Sequence, residues 1–200
     1  MADMLGKIRN CRRCVTAGFD AVRPPPVFSG DLDTSLLIIG QAPGLTEHEQ
    51  QSPFVGSSGK RLFSWLRQAG LEESWIREHA LIFQRYLCYP GKRPDGDGDR
   101  RPGSEQLELC SPHLSSVLSL MDGLNLKLII PVGRLAIDAF YDSSKTLEEI
   151  IGTQMGYASA QVIPLPHPSG ISRWHQKQEH RALIYQALEL IRPVGLTCDG

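Results

Sequence analysis

The alternation of short apolar runs with amphipathic segments is the feature that most constrains this chain. Residues 36–40, "LLIIG", are apolar at every position, which is typical of a parallel strand buried on both faces. Residues 56–70 then carry apolar side chains at helical spacing and close with a Gly. The same order recurs, with predicted strands at 80–87 and 126–133, a fourth strand that runs into a Pro-rich loop within 159–170, and predicted helices at 104–121, 134–141 and 175–192. We therefore expect a three-layer α/β/α fold around a central, mostly parallel four-stranded sheet.

Length and composition suit one domain. The chain has 200 residues and is 41% hydrophobic, so we expect a single domain over 1–200 with a frayed tail from about 193 to 200. No apolar run approaches the roughly 18–20 residues that a membrane span needs. The first residues lack a secretory signal, which predicts a cytoplasmic protein with reduced thiols.

The net charge of -1 gives no global attraction for nucleic acid. Basic residues nevertheless cluster at 7–13 and again at 92–101. Each cluster is either ordinary solvated surface or a local phosphate-binding rim. The sequence leaves both interpretations open, although three Asp residues inside the second cluster weaken the phosphate interpretation.

Two rigid turns follow predicted strands. "GQAPG" at 40–44 follows the first strand and "HPSG" at 167–170 follows the last. Ligands of parallel sheets bind outside the carboxyl ends of the strands, so both turns are candidate parts of a site. Phe54 lies in the loop between the first turn and its helix, either as a packed plug or as a flat surface for an aromatic ligand.

Four of the five cysteines are candidates for a shared site. Cys11 and Cys14 form a C-x-x-C pair, Cys88 follows a strand, Cys110 lies on a predicted helix, and Cys198 in the tail is the expected spare. The pattern is compatible with incidental core thiols, a redox pair, a zinc site or an iron–sulfur cluster. The wide spacing of the second pair favours the cluster.

Taken in order, these motifs resemble the uracil-DNA glycosylase superfamily, and most closely its family 4, the iron–sulfur type. "GQAPG" resembles the first motif of that family, "SPFVGSSGKRL" at 52–62 its continuation, and "HPSG" the second, His-Pro motif. The cysteines at 11, 14, 88 and 110 match the order of the cluster ligands. The resemblance runs from about residue 5 to 192 and implies a uracil-DNA glycosylase-like fold.

The resemblance implies a DNA repair enzyme. Such an enzyme flips uracil out of DNA and hydrolyses the N-glycosidic bond, leaving an abasic site. Neither motif contains a Lys that could act as an amine nucleophile, so we expect a monofunctional glycosylase without lyase activity. The implied partner is DNA with uracil or another deaminated base, and we expect a monomer that associates with the nucleoid while it scans DNA.

The resemblance also assigns residues. The flipped base would be bound by Gln41, Ala42, Phe54, Gln84 and His167, with Phe54 as the stacking platform. His167 would donate a hydrogen bond to the oxyanion that develops on the pyrimidine. Gln41 and Glu47 are the other residues expected to take part in catalysis, although Glu47 is equally well explained as a cap of the following turn.

The segment after His167 resembles the loop that superfamily members insert into DNA. Its residues are Ser169, Gly170, Ile171, Ser172 and Arg173. Ile171 would fill the gap left by the flipped base, and Ser172 or Arg173 would hold a phosphate or the orphan base. The Gly-Ile-Ser-Arg order resembles the mismatch-specific branch more than family 4, which puts the opposite-base preference in doubt.

Three positions depart from the family pattern. Gln41 stands where family 4 normally has Glu, and Ala42 stands where the best-known uracil glycosylases carry a water-activating Asp. Gln84 stands where an Asn usually reads the uracil edge. These departures keep two alternatives open: a glycosylase of changed specificity, for hypoxanthine, xanthine or mismatched bases, and a non-catalytic module that binds damaged DNA.

The cysteine match implies a 4Fe–4S cluster with a structural role. Its ligands would be Cys11, Cys14, Cys88 and Cys110. The cluster would tie the N-terminal segment, the Cys88 loop and the Cys110 helix into one unit that faces DNA.

Overall fold

The chain folds around one twisted sheet, in a computed structural model that describes residues 2–96, 98–170, 172 and 174–196. Within these residues the sheet has five strands in the order β2-β1-β3-β5-β4. All neighbouring pairs are parallel except β4 with β5. The strands are β1 (Leu36–Gly40), β2 (Ala80–Gln84), β3 (Leu128–Pro131), β4 (Met155–Tyr157) and β5 (Ala160–Val162).

Helices cover both faces of the sheet. They are α1 (Ala2–Arg9), α2 (Arg13–Thr16), α3 (Leu45–Gln50), α4 (Ser57–Gln68), α5 (Glu73–His79), α6 (Ser104–Met121), α7 (Arg134–Ile137), α8 (Leu147–Ile150) and α9 (Gln178–Ile191). α1 and α6 contribute to the core on one face. α4, α5, α8 and α9 contribute to the core on the other. The predicted three-layer α/β/α fold is therefore confirmed.

The central strand β1 explains why both faces are covered. Leu37 and Ile39 point into the core that α6 shares, whereas Leu36 and Ile38 point into the core that α4 shares. All four side chains are fully buried. Burying a side chain of this size stabilises the fold by about 1.5–3 kcal/mol. Exposing either face of β1 would therefore cost several kcal/mol of the free energy of unfolding.

The sheet differs from the prediction in strand number and length. The predicted four strands are joined by β4, a three-residue edge strand whose hairpin with β5 turns at Ala158 with a φ of 50°. β5 ends at Val162, and the expected Pro-rich loop follows it. Pro164, Pro166 and Pro168 follow, and a residue without an N–H cannot continue a ladder.

The chain continues beyond α9 into the predicted tail. Residues Arg192–Val194 form a turn of 3-10 helix, and Val194 and Leu196 pack against the core that α9 shares. Residues 197–200, with Cys198, lie outside the described residues. In the part of the chain that the structure describes, no helix combines the length and the apolar character needed to cross a membrane.

Candidate active site and cysteine cluster

Four strand ends meet at the carboxyl edge of the sheet. β1 ends at Gly40, which pairs in register with Gln84 at the end of β2. β3 leads to Gly133, whose N–H donates to the carbonyl of Leu165 at 2.9 Å. That bond extends the β3–β5 pairing and brings His167 beside Gly133. The two turns singled out from the sequence therefore lie at one edge, as expected for a ligand site of a parallel sheet.

Gly40, Phe54 and Gln84 are packed together at the floor of this edge. A Cβ atom at position 40 would lie 2.2 Å from Gln84 Oε1 and 2.8 Å from Phe54 Cζ, so only Gly fits there. Gln84 is buried, and its Oε1 has no hydrogen-bond partner among the described residues. Leaving a buried acceptor unpaired costs about 1–3 kcal/mol, which marks this oxygen as available to a ligand N–H.

The backbone of Phe54 is held in an unusual conformation. Its φ is 56°, which lies in the left-handed region that a bulky residue rarely adopts. Two contacts fix it: the Phe54 N–H donates to Glu47 Oε1 at 2.7 Å, and its carbonyl accepts from Arg77 Nη2 at 3.1 Å. Strained residues of this kind cluster at functional sites, where the surroundings hold them in place.

Glu47 joins the first turn to the Phe54 loop. Its Oε2 accepts the N–H of Gly44 at 2.6 Å, which caps α3, while Oε1 accepts the N–H of Phe54. The expected capping role is therefore present and extends to the Phe54 loop. Burial raises the pKa of this carboxyl, and the two backbone N–H bonds oppose that shift.

Gln41 and Ala42 lie at the mouth of the same turn. Both are half-buried, and the Gln41 side-chain amide has no hydrogen-bond partner in the described part of the chain. The Gln41 carbonyl, in contrast, accepts the N–H of Tyr86 at 3.0 Å. The backbone is thus fixed while the amide remains available to a ligand or to water.

His167 is oriented by its own loop. Its Nδ1 accepts the N–H of Ser169 at 3.3 Å, so the neutral ring carries its proton on Nε2. Nε2 has no partner within the described residues. Burial lowers the pKa of His167, and the nearby Arg101 cation lowers it further. The ring is therefore a neutral hydrogen-bond donor at physiological pH.

The expected DNA-inserting loop is only partly visible. Ser169 and Gly170 follow His167 directly, and the Ser172 N–H donates to the Ser169 carbonyl at 3.2 Å. Ile171 and Arg173, for which the wedge and phosphate roles were expected, lie outside the described residues. The loop is anchored from α4, because Arg61 Nη1 donates to the Pro168 carbonyl at 2.6 Å.

The basic segment after Cys88 forms a hairpin, here called the 89–101 hairpin. Lys92 and Asp99 pair as an antiparallel bridge, and the Arg100 N–H donates to the Gly91 carbonyl at 2.8 Å. Asp99 Oδ1 accepts the Tyr89 hydroxyl at 2.7 Å, and Oδ2 accepts the Leu45 N–H at 3.4 Å. The hairpin is therefore attached to the start of α3, next to the first turn.

The four expected cysteine ligands line one pocket. Cys14, Cys88 and Cys110 are buried, whereas Cys11 is partly exposed. Burial raises the pKa of Cys88, and the neighbouring Cys110, Cys14 and Cys11 thiols raise it further. Burial likewise raises the pKa of Cys110 to about 12. The raised pKa values favour neutral thiols, so thiolate ligands in this buried place would depend on a bound cation that offsets the cost of their charge.

Four cysteine thiols are the donor set that a 4Fe–4S cluster uses. No three His, Cys, Asp or Glu side chains among the described residues converge closely enough to hold one metal ion. A 4Fe–4S cluster takes its four thiolates on different irons and so spaces them more widely. Polar groups already surround the sulfurs: the Leu87 N–H donates to Cys110 Sγ at 3.4 Å, and His113 Nε2 lies 3.2 Å from Cys11 Sγ.

Sequence reasoning missed the residues that support the site. No role was assigned to three of these residues. Asp99 lies in the basic segment 92–101, Arg61 in "SPFVGSSGKRL", and Gly133 at the end of the predicted strand 126–133. Gly133 carried a usable signal, since a Gly directly after a buried strand marks a tight approach. Its φ is 84°, and a Cβ there would lie 3.0 Å from His167 Cδ2.

Comparison with known proteins connects this geometry to a family. The model of the Uracil DNA glycosylase superfamily matches residues 27–189. The chain is similar to the type-4 uracil-DNA glycosylase of Thermotoga maritima, with 28% identity over 82% of this chain and 79% of that protein. It is also similar to the type-4 enzymes of Archaeoglobus fulgidus, at 26% identity over 96% and 83%, and of Pyrobaculum aerophilum, at 28% over 72% and 63%. Since the match spans most of the chain and both motifs at the sheet edge, the protein belongs to the uracil DNA glycosylase superfamily.

Proposed function

We propose that this protein is a monofunctional DNA glycosylase that flips uracil out of DNA and hydrolyses its N-glycosidic bond. The observation that carries the proposal is the meeting of three groups at one sheet edge. These are the unpaired Oε1 of Gln84, the ring of Phe54 and the Nε2–H of His167. Together they supply an edge acceptor, a stacking surface and a donor for a pyrimidine oxygen. The type-4 relatives support the same reaction.

Recognition would begin with the base edge. Gln84 Oε1 would accept the N3–H of uracil, and its amide would donate to O4. Phe54 would stack on the ring, held in place by the Glu47 bridge. Gln41 would help to position the base and a bound water, and Ala42 leaves room for the base beside it.

The chemical step would depend on charge stabilisation. The bond between N1 and C1′ breaks, the base leaves with its electron pair, and a water oxygen attacks the cationic sugar and loses its proton to solvent. His167 Nε2–H would donate to the pyrimidine oxygen on which negative charge develops. A neutral His suffices, because no proton has to be transferred from the ring.

Neither Gln41 nor Ala42 can act as a base, so Glu47 is the candidate carboxylate nearest to the first turn. Its two oxygens are engaged by backbone N–H groups. We therefore assign Glu47 the positioning of the first turn and of Phe54, with electrostatic support of the sugar cation as its contribution to catalysis.

The test uses oligonucleotides with a single uracil, in single- and double-stranded form. After incubation with purified protein, alkali cleaves any abasic product. Repeated turnover supports a catalytic enzyme. Absence of product at every enzyme-to-DNA ratio, with retained binding to uracil or abasic DNA, would instead establish the damage-binding module that Gln41 and Ala42 leave open.

A second candidate function is favoured by Gln84. Its side chain is one methylene longer than the Asn of the family pattern, and its oxygen lies directly over Gly40. A shifted acceptor would also meet the N1–H of hypoxanthine or xanthine. A panel of uracil, hypoxanthine, xanthine and mismatched bases separates this changed specificity from uracil excision.

We further propose that Cys11, Cys14, Cys88 and Cys110 hold a structural 4Fe–4S cluster. The group would supply the positive iron centres that neutralise the four thiolates and thereby link α2, α6 and the segment after β2. An absorbance band at about 400 nm in protein kept from air distinguishes iron–sulfur bonding from zinc, which has no such transition.

The proposed partner is damaged DNA. The protein would bind it as a monomer in the cytoplasm and would associate with the nucleoid while it scans DNA.

A further inference from the structure

A groove runs between α4 and the start of α9, outside the base pocket. Its volume is about 550 Å³, which lies in the range of small-ligand sites and is too small for a duplex. Arg61 lines it and donates to the carbonyl of Pro168, the residue after His167. The groove is therefore continuous with the loop that carries the proposed catalytic histidine.

The charge of the groove suits an anion. Arg61 and Arg181 line it, and none of its described lining residues is acidic. Arg61 is engaged by Pro168, whereas the Arg181 side chain has no hydrogen-bond or ion-pair partner within the described residues. Arg67, on the same helix as Arg61 but outside the groove, is in contrast paired with Glu72 at 3.0 Å. Arg181 is thus an available cation in a groove without competing carboxylates.

Aromatic side chains line the same groove. Tyr185 is 56% exposed, an unusual fraction for a large ring. Trp65 is half-buried and contacts the His175 ring edge-on at 5.9 Å. His175 Nδ1 is buried with no partner among the described residues. Stacking rings beside an unpaired arginine are the combination that single-stranded nucleic acid binders use for base and phosphate.

We propose that this groove binds the DNA strand next to the reacting nucleotide, with a phosphate on Arg181 and a base against Tyr185. The proposal rests on the proposed function, because it takes DNA as the partner. It adds a second contact to the base pocket, reached through the loop after His167. Only one strand fits the groove, so the contact requires the strand to leave the duplex or to be single-stranded already.

The test compares Arg181→Gln and Tyr185→Leu with Arg67→Gln, which removes the same charge from α4 outside the groove. Binding is measured by fluorescence anisotropy to a single strand of about 20 nucleotides with a central tetrahydrofuran abasic-site analogue, across a salt titration. We expect Arg181→Gln to lower the salt slope by about 0.7, the value of one single-strand phosphate contact, and Arg67→Gln to leave it unchanged. We expect Tyr185→Leu to weaken binding about fivefold or more with the salt slope unchanged, since a stacked base contributes about 1–3 kcal/mol.

A short oligonucleotide separates this proposal from the proposed function. Two strands of about four nucleotides are used, one with uracil at the 5′ end and one with uracil at the 3′ end, so that in one of them no nucleotide lies on the groove side of the uracil. That strand occupies the base pocket without reaching the groove. Excision from it by the unsubstituted protein tests the function, and all three variants should excise from it at the unsubstituted rate. Equal slopes for Arg181→Gln and Arg67→Gln, or unchanged affinity in Tyr185→Leu, would overturn the groove contact even if uracil is excised.

Discussion

The side-chain oxygen of Gln84 lies directly over Gly40, in the space where any other residue at position 40 would place its Cβ atom. The separation would be 2.2 Å, which no real contact allows. The two residues are paired partners at the ends of β1 and β2. Strand register therefore positions the Gln84 oxygen in the base pocket. The oxygen can lie there only because Gly40 has no side chain.

Shortening Gln84 tests whether it reads the base. Gln84→Asn withdraws the amide by one methylene and restores the residue typical of family 4. We expect the excision rate for uracil to rise relative to that for hypoxanthine and xanthine, measured on the lesion panel. Gln84→Leu removes the amide and should lower uracil excision about tenfold or more, since the hydrogen bonds to the base edge are lost. An unchanged ranking of bases in Gln84→Asn would contradict the assignment.

Replacing His167 tests the charge-stabilising donor. His167→Ala removes the Nε2–H and should lower the single-turnover excision rate about 10²–10³-fold, the usual effect of losing such a donor. Affinity for abasic DNA should change little, because the bond strengthens only as charge develops. His79→Ala is the matched control: this exposed histidine ends α5 just before β2, at the opposite edge of the sheet. Equal losses in the two variants would exclude the role.

Gln41→Glu is the most informative substitution at the first turn. Gln41 is half-buried and its amide is unpaired among the described residues, so a carboxylate fits without breaking a contact. It would add negative charge beside the sugar cation and a group able to orient water. We expect the single-turnover rate to rise about tenfold or more, within the range of general-base catalysis. A lower rate would show that the neutral amide itself is required.

The pH dependence follows from Glu47 and His167. Burial raises the Glu47 pKa above its ordinary value of 4.5, so this carboxylate gains a proton at a higher pH than an exposed Glu. The protonated form loses an acceptor for Gly44 or Phe54, so the excision rate should fall as pH falls through this raised pKa. Burial lowers the His167 pKa below 6.5, so the ring stays neutral and the rate stays level from about pH 6.5 to 8. Excision rates measured between about pH 5 and 8 check both the fall at low pH and the level rate near neutral pH.

The same carboxyl has an opposite effect on stability. Since its folded pKa is raised, the native state binds more protons than the unfolded state between the two pKa values. The contribution of Glu47 to the free energy of unfolding is therefore complete at low pH and decreases as pH rises through the folded pKa. Glu47→Gln should remove this pH-dependent part, as urea unfolding at a series of pH values would reveal.

The cysteine ligands can be tested one at a time. Cys88→Ser should abolish the absorbance at about 400 nm and lower the thermal midpoint, because Cys11, Cys14 and Cys110 alone are an incomplete ligand set. Cys198→Ser is the control, since that residue is the expected spare. Retention of the band in Cys88→Ser, or its loss in Cys198→Ser, would contradict the proposed ligand set.

Segments with a clear local pattern were predictable from sequence. The predicted bounds of β1 and α6 match the structure at both ends, because each is dictated by an uninterrupted local pattern. Pro112 lies inside α6 without ending it. Short elements were not predictable: β4 has three residues and exists only through its pairing with β5. α3 depends on the Glu47 cap more than on an apolar face, since none of its residues is buried.

The candidate site was predictable only where a motif marked it. Phe54, Gln84 and His167 were named from the resemblance, and the structure brings them to one edge of the sheet. The contact of Asp99 with Leu45 was not foreseeable, because it joins segments 54 residues apart and has no periodic signal. Gln84 Oε1 has no hydrogen-bond partner among the described residues because of how the fold packs around it, and the sequence alone does not predict this.

The 89–101 hairpin connects the cysteine cluster to the first turn of the base pocket, so oxidation of the cysteines can affect base binding. Cys88 immediately precedes Tyr89, whose hydroxyl bonds Asp99, and Asp99 in turn accepts the Leu45 N–H one residue after the first turn. Oxidation that releases Cys88 would loosen this chain of contacts at its origin. We therefore expect exposure to oxygen to weaken binding of the flipped base before the sheet unfolds. Activity in air should then be lost before secondary structure is lost.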